Sequence, residues 1–143
     1  MKIFYALVII SSLLFSACSS SKEGIKLGSL EQKPCRSEKQ LNTADEFTGE
    51  TADNLVLFQQ SKLVYASMDI RTFCNAKISF DVQKDGDRIK LKVKNNNTQT
   101  DKCVCFTNVT TSIENLEPGS YTVLVTNSAG NQLLTQGSIQ VKE

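Results

Sequence analysis

Histidine and tryptophan are absent from this chain of 143 residues, and only two prolines and seven glycines punctuate it. The missing histidine removes the commonest general acid/base and the commonest metal ligand. Ser-His-Asp, Cys-His and His-metal chemistries are excluded with it. A dominant charge is lacking too, since 16 basic and 15 acidic side chains give a net charge of +1. That balance favours neither nucleic acid nor a strongly charged substrate as partner. Strands alternating with long helical patterns do not occur, which argues against an α/β fold. The one long apolar run, Ile3 to Phe15, falls short of the roughly 20 residues that a membrane-spanning helix needs.

That run follows Lys2 and leads into Leu14-Phe15-Ser16-Ala17-Cys18. Its length suits the apolar region of a signal peptide. Small residues at the two positions before a cysteine resemble a lipobox, the recognition element of bacterial lipoprotein processing. The resemblance implies cleavage after Ala17, with a diacylglycerol on the Cys18 sulfur. Residues 1–17 are then a lipoprotein signal peptide, and the lipid on Cys18 is the only non-protein group expected, with no cofactor. Each buried CH₂ of such a lipid contributes about 0.8 kcal/mol, and multiple chains anchor stably. The expected location is the bacterial outer membrane, on its periplasmic or its surface face. Residues 18–33, with Ser19-Ser20-Ser21, Gly24 and Gly28, read as a flexible tether.

Setting Cys18 aside leaves four cysteines, Cys35, Cys74, Cys103 and Cys105. An even number in an exported chain implies two disulfides. Cys103 and Cys105 lie two apart on a strand, a span that bonds poorly without distortion. Each should therefore join one of the other two, and we expect Cys74 with Cys105 and Cys35 with Cys103. A four-thiolate zinc site would show close Cys-x₂₋₄-Cys pairs at both ends. Cys35 and Cys74 are far apart in sequence, so no metal is expected.

From residue 54 to the end the pattern is of short strands separated by turns. Residues 34–143 form one expected domain, with 54–143 as its core. Leu55–Gln60 and Leu63–Ile70 come first. Lys77–Gln83 and Arg88–Lys94 both alternate polar with apolar residues around Asp85-Gly86, a strong hairpin signal. With Asp85 and Gly86 at the tip, Ile78 faces Val93, Phe80 faces Leu91 and Val82 faces Ile89. Asp81 then meets Lys90 on the other face, an opposite-charge pair. Cys103–Glu114, Tyr121–Thr126 and roughly Gln132–Val141 complete the set, with Gly137 a candidate for a bulge. About seven strands with little helix imply an all-β antiparallel sandwich. Between residues 34 and 53 only Thr43 to Glu46 shows a pattern, that of a helix-opening turn.

Leu116-Glu117-Pro118-Gly119-Ser120-Tyr121 resembles the Leu-x-Pro-Gly-x-Tyr turn of immunoglobulin-like, fibronectin-like and prealbumin-like sandwiches. The resemblance gives Leu116, Pro118, Gly119 and Tyr121 an architectural role, with the tyrosine ring packed and its hydroxyl on backbone. Over residues 70–126, Cys74, Cys103-Val-Cys105-Phe106 and that turn also resemble a loose group of small Bacteroidota lipoproteins. That resemblance implies a disulfide-braced, immunoglobulin-like domain and brings no activity with it. Arg88, Lys90, Lys92 and Lys94 make a basic stripe, which reads as an anion-binding face or as a solvated one that resists edge pairing. Asp81 opposite the stripe favours the second reading. Asp45, Glu46, Glu50 and Asp53 read as surface charge rather than as a carboxylate pair.

The sequence thus points to a membrane-anchored envelope protein with a non-catalytic binding or structural role. Its partners are the membrane, through the lipid, and a protein or glycan, but not nucleic acid. An accessory subunit of an outer-membrane complex is one alternative, and a histidine-independent carboxylate or thiol enzyme is another. A binding module should show an exposed apolar or aromatic patch.

Overall fold

Apolar residues every second position become strands once a partner covers one face, and the described residues pair in this way almost throughout. In a computed structural model that describes residues 24–40, 49–96 and 103–143, nine strands follow one another. They are β1 (Lys26–Gln32), β2 (Arg36–Gln40), β3 (Thr51–Gln60), β4 (Leu63–Phe73), β5 (Ile78–Asp85), β6 (Arg88–Asn95), β7 (Cys103–Glu114), β8 (Gly119–Thr126) and β9 (Leu133–Val141). The first sheet has the order β1-β7-β4-β3, with β2 also on β7, and the second the order β5-β6-β8-β9. β1 covers Val109 to Glu114 of β7 and β2 covers Cys103 to Phe106. They are two halves of one edge strand, broken at Lys33-Pro34-Cys35. Each sheet therefore has four strand positions, and the two sheets form a β-sandwich.

One pairing departs from the expected antiparallel plan: β6 and β8 run parallel. Parallel neighbours need a crossover, and β7, lying in the opposite sheet, supplies it. The Asp85-Gly86 hairpin also departs from expectation. Phe80 faces Val93, Val82 faces Leu91 and Lys84 faces Ile89, a slip of two residues from the sequence reading. Gly86, at φ +57°, occupies the first position of the two-residue loop and Asp87 the second, as in a type II′ turn. Because the slip is even, every side chain keeps its face.

The inner faces meet in one apolar cluster. Val64, Ala66, Met68 and Ile70 of β4 and Val109 and Ile113 of β7 pack against Ile89, Leu91 and Val93 of β6 and Val123 and Val125 of β8. All of these are fully buried, and each large one contributes about 1.5–3 kcal/mol. Gly137 is not at a bulge but pairs regularly with Val123. It lets β9 lie against β3, because a Cβ there would sit 3.1 Å from Leu57 Cδ1 and 3.3 Å from Leu55 Cδ2.

β1 begins at Lys26, within the span expected to be a tether, so the sandwich starts earlier than residue 34. Gly28 serves close approach here rather than flexibility. A Cβ on it would meet the Glu114 side chain and fall 2.6 Å from Ser112 Oγ. The signal peptide, Cys18 and the turn at Thr43 to Glu46 lie outside the described residues.

Two glutamine amides close the open sides of the sandwich. Gln32, at the end of β1, donates from Nε2 to Ala76 O and accepts the Ile78 N–H at Oε1, both at 2.9 Å. Gln59 of β3 does the same at the opposite seam, donating to Lys142 O at 2.9 Å and accepting the Lys142 N–H at 2.8 Å. Each side chain stands in for one rung of backbone pairing between sheets that no strand could bridge.

Candidate functional site

Tyr121 occupies the position its motif implies. Its ring is buried, and its hydroxyl donates to Glu117 O at 3.0 Å. Leu116 packs on the edge of the core. Pro118 and Gly119 lie between them, where the chain turns into β8.

The basic stripe lies on the outer face of the second sheet, along β6. Lys94 pairs with Asp81 at 2.7 Å, Lys90 donates to Gly130 O at 2.9 Å, and the Lys92 stem lies against Gly130. Asp81 thus bonds Lys94 and sits opposite Lys92, rather than Lys90, a direct result of the two-residue slip. Two of the four cations are satisfied by the fold itself, which supports a solvated outer face rather than an anion site.

The cysteines pair as Cys35–Cys105 and Cys74–Cys103, the reverse of the expected connectivity. The strand register explains the difference. β4 and β7 run so that Thr72 faces Cys105 and Phe73 faces Val104. The next rung brings Cys74 to Cys103, with a 2.9 Å bond from Cys74 N to Cys103 O and Cα atoms 5.4 Å apart. Two positions along, Cys105 shares that face and reaches the opposite neighbour, the break between β1 and β2. A Cys-x-Cys on a central strand thus sends one sulfur to each side. The sulfurs of Cys35, Cys74 and Cys105 lie within 4.8 Å of one another. Bonded in pairs, they are not the thiolates that a zinc site or a thiol nucleophile requires.

The outer face of the first sheet carries a constellation that the sequence did not announce. β4 presents Tyr65, Ser67 and Asp69 there, β7 presents Asn108 and Thr110, and β3 presents Val56 and Phe58 opposite Ser67 and Tyr65. At the upper end, Asp69 accepts from Arg36 Nη2 at 2.5 Å, from Asn54 Nδ2 at 3.0 Å and from Asn108 Nδ2 at 3.2 Å. The Asn54 amide above all, then Asn108 and the Arg36 guanidinium, hold its carboxyl below the ordinary carboxylate range, against an opposing push from partial burial. Asn54 reaches Asp69 from a bulge in β3, where it adopts φ +54°. Below this knot, Thr110 and Ser67 share a 3.0 Å bond.

At the lower end the same face turns apolar. Phe58 and Tyr65 stack with ring centroids 5.1 Å apart and planes 9° from parallel. Phe58 remains 42% exposed and Val56 56% exposed. Large apolar side chains side by side in water are a liability unless something covers them. Tyr65, Ser67 and Asp69 fall on the strand expected over Leu63–Ile70. Their partners on β2, β3 and β7 were not evident in the sequence, because only the sheet order makes them neighbours.

The fold and these surfaces define a disulfide-braced β-sandwich. Comparison with protein-family models, with curated proteins and with solved structures finds no match to this chain.

Proposed function

We propose that this chain is a lipid-anchored bacterial envelope protein whose sandwich has a non-catalytic binding role. The observation that carries this reading is the patch of exposed Val56 and Phe58, with half-buried Tyr65 stacked on Phe58, beside the polar knot around Asp69. A binding module needs such a surface: rigid aromatic area at its centre and polar groups at its rim. Two disulfides fit an exported domain, and the lipobox-like Ser16-Ala17-Cys18 supplies the anchor. The partner is a protein or a glycan that lays an apolar face across β3 and β4. The membrane is contacted through the lipid on Cys18, at the outer membrane.

In-cell photocrosslinking tests the role of this face. A photoreactive residue at position 58 should yield a discrete adduct, while one at position 90, on the basic stripe, should give background only. Equal background at both positions would remove the binding face from the proposal.

A further inference from the structure

The two disulfides lie side by side at the seam between the sheets. Cys35 and Cys74 line an open cleft of about 540 Å³ there, together with Leu30, Gln32, Lys33 and Lys77. Cys105 lies behind them, 1% exposed, yet its sulfur is within 4.8 Å of both the Cys35 and the Cys74 sulfur. We propose that this cluster is a thiol–disulfide exchange site, entered by an anionic external thiol at Cys35 and relayed through Cys105 to Cys74.

Exchange proceeds by attack of a thiolate on one disulfide sulfur, with the other sulfur leaving. An external thiolate reaches Cys35 Sγ from the cleft and forms a mixed disulfide with it. The Cys35–Cys105 bond breaks, and its electron pair leaves on Cys105 as a thiolate. Burial disfavours that charged form. The nearest bond it can attack is Cys74–Cys103, at Cys74. A new Cys74–Cys105 bond forms, and the electron pair moves to Cys103, which takes up a proton. One thiol has been added, the number of disulfides within the chain has fallen from two to one, and the free thiol has moved from a buried to a half-buried position. Attack at Cys74 instead would release Cys103 directly, without a relay, so Cys35 is the entry that uses the cluster. Lys33 and Lys77 on the cleft wall favour a thiol carrying negative charge.

The test exposes the oxidised protein to reduced glutathione, quenches with acid and an alkylating agent, and maps the products by fragment-ion sequencing. The proposal expects glutathione on Cys35, the alkyl group on Cys103 and a bond between Cys74 and Cys105. Glutathione on Cys35 with the alkyl group on Cys105 would overturn the relay. Glutathione first on Cys74 or Cys103, or no adduct under conditions that modify the urea-denatured protein, would overturn the site. Per thiolate, glutathione should react about fivefold faster than the uncharged thiol 2-mercaptoethanol, the scale of one charge contact in water. The Lys33→Gln, Lys77→Gln double variant, which leaves the sulfurs and the core untouched, should abolish that preference. An unchanged preference in the double variant would overturn the claim for anionic thiols.

Discussion

Replacing Gln32 by alanine tests whether a single amide closes one seam of the sandwich. In the native protein the Gln32 amide pairs the Ile78 N–H and the Ala76 carbonyl, and both of those residues are almost fully buried. Ile78 begins the edge strand β5, and its N–H points away from β6, so no other strand can take it. Alanine would leave one donor and one acceptor unpaired, at about 1–3 kcal/mol for each buried group. The seam is open to water on one side, which places the total near the low end, about 2 kcal/mol. At a urea slope of about 2 kcal/mol/M that is a fall in midpoint of about 1 M with the slope unchanged. Gln32→Glu refines the test, because a carboxylate still accepts from Ile78 but repels the Ala76 carbonyl until it is protonated. Its folded pKa should rise, so the variant should recover stability below the unfolded value and lose it as pH rises through the folded one. Urea titration with amide exchange at Ile78 reads both effects. A midpoint shift below about 0.2 M, or unchanged protection of the Ile78 amide, would refute the seam argument.

Three further outcomes follow from the same geometry. On the chain-entropy scale the Cys35–Cys105 bond, spanning 70 residues, should contribute about 4.4 kcal/mol and Cys74–Cys103, spanning 29, about 3.6. Paired Cys→Ala variants compared by urea titration should therefore lose more stability in the first case than in the second. Asp69→Asn should cost about 1 kcal/mol at neutral pH, because the Arg36 partner is largely exposed. Since the folded pKa of Asp69 lies below its ordinary value of 3.8, the wild-type advantage is full above that value. It disappears as pH falls through the folded value, so the two proteins should converge once the pH lies below it.

Which features could be read from the sequence follows from how local each one is. The β5–β6 hairpin alternates so regularly that its faces were plain, yet its register depended on which loop position Gly86 would take. β1 was invisible. Lys26-Leu-Gly-Ser-Leu-Glu-Gln does not alternate, because a register shift between Leu27 and Leu30 breaks the period and most of the strand is exposed. The cysteine pairing failed for a related reason. Nothing along the chain shows which rung of β4 meets Cys103, nor that an unrecognised edge strand carries Cys35. The outer face of the first sheet joins residues as far apart as Arg36 and Asn108, and only the placing of β2 beside β7 and of β7 beside β4 brings them to one carboxylate. The Tyr121 turn, by contrast, closes over four residues, and its role was legible at once.

The proposed function requires that this sandwich is held at a membrane by lipid on Cys18. Mass spectrometry of the N-terminal peptide, from protein extracted out of a diderm bacterial envelope, tests it most directly. A lipid-anchored protein would yield a chain that begins at Cys18 and carries a diacylglycerol on its sulfur. A chain that still begins at Met1, or one cut elsewhere with an unmodified Cys18, would contradict it.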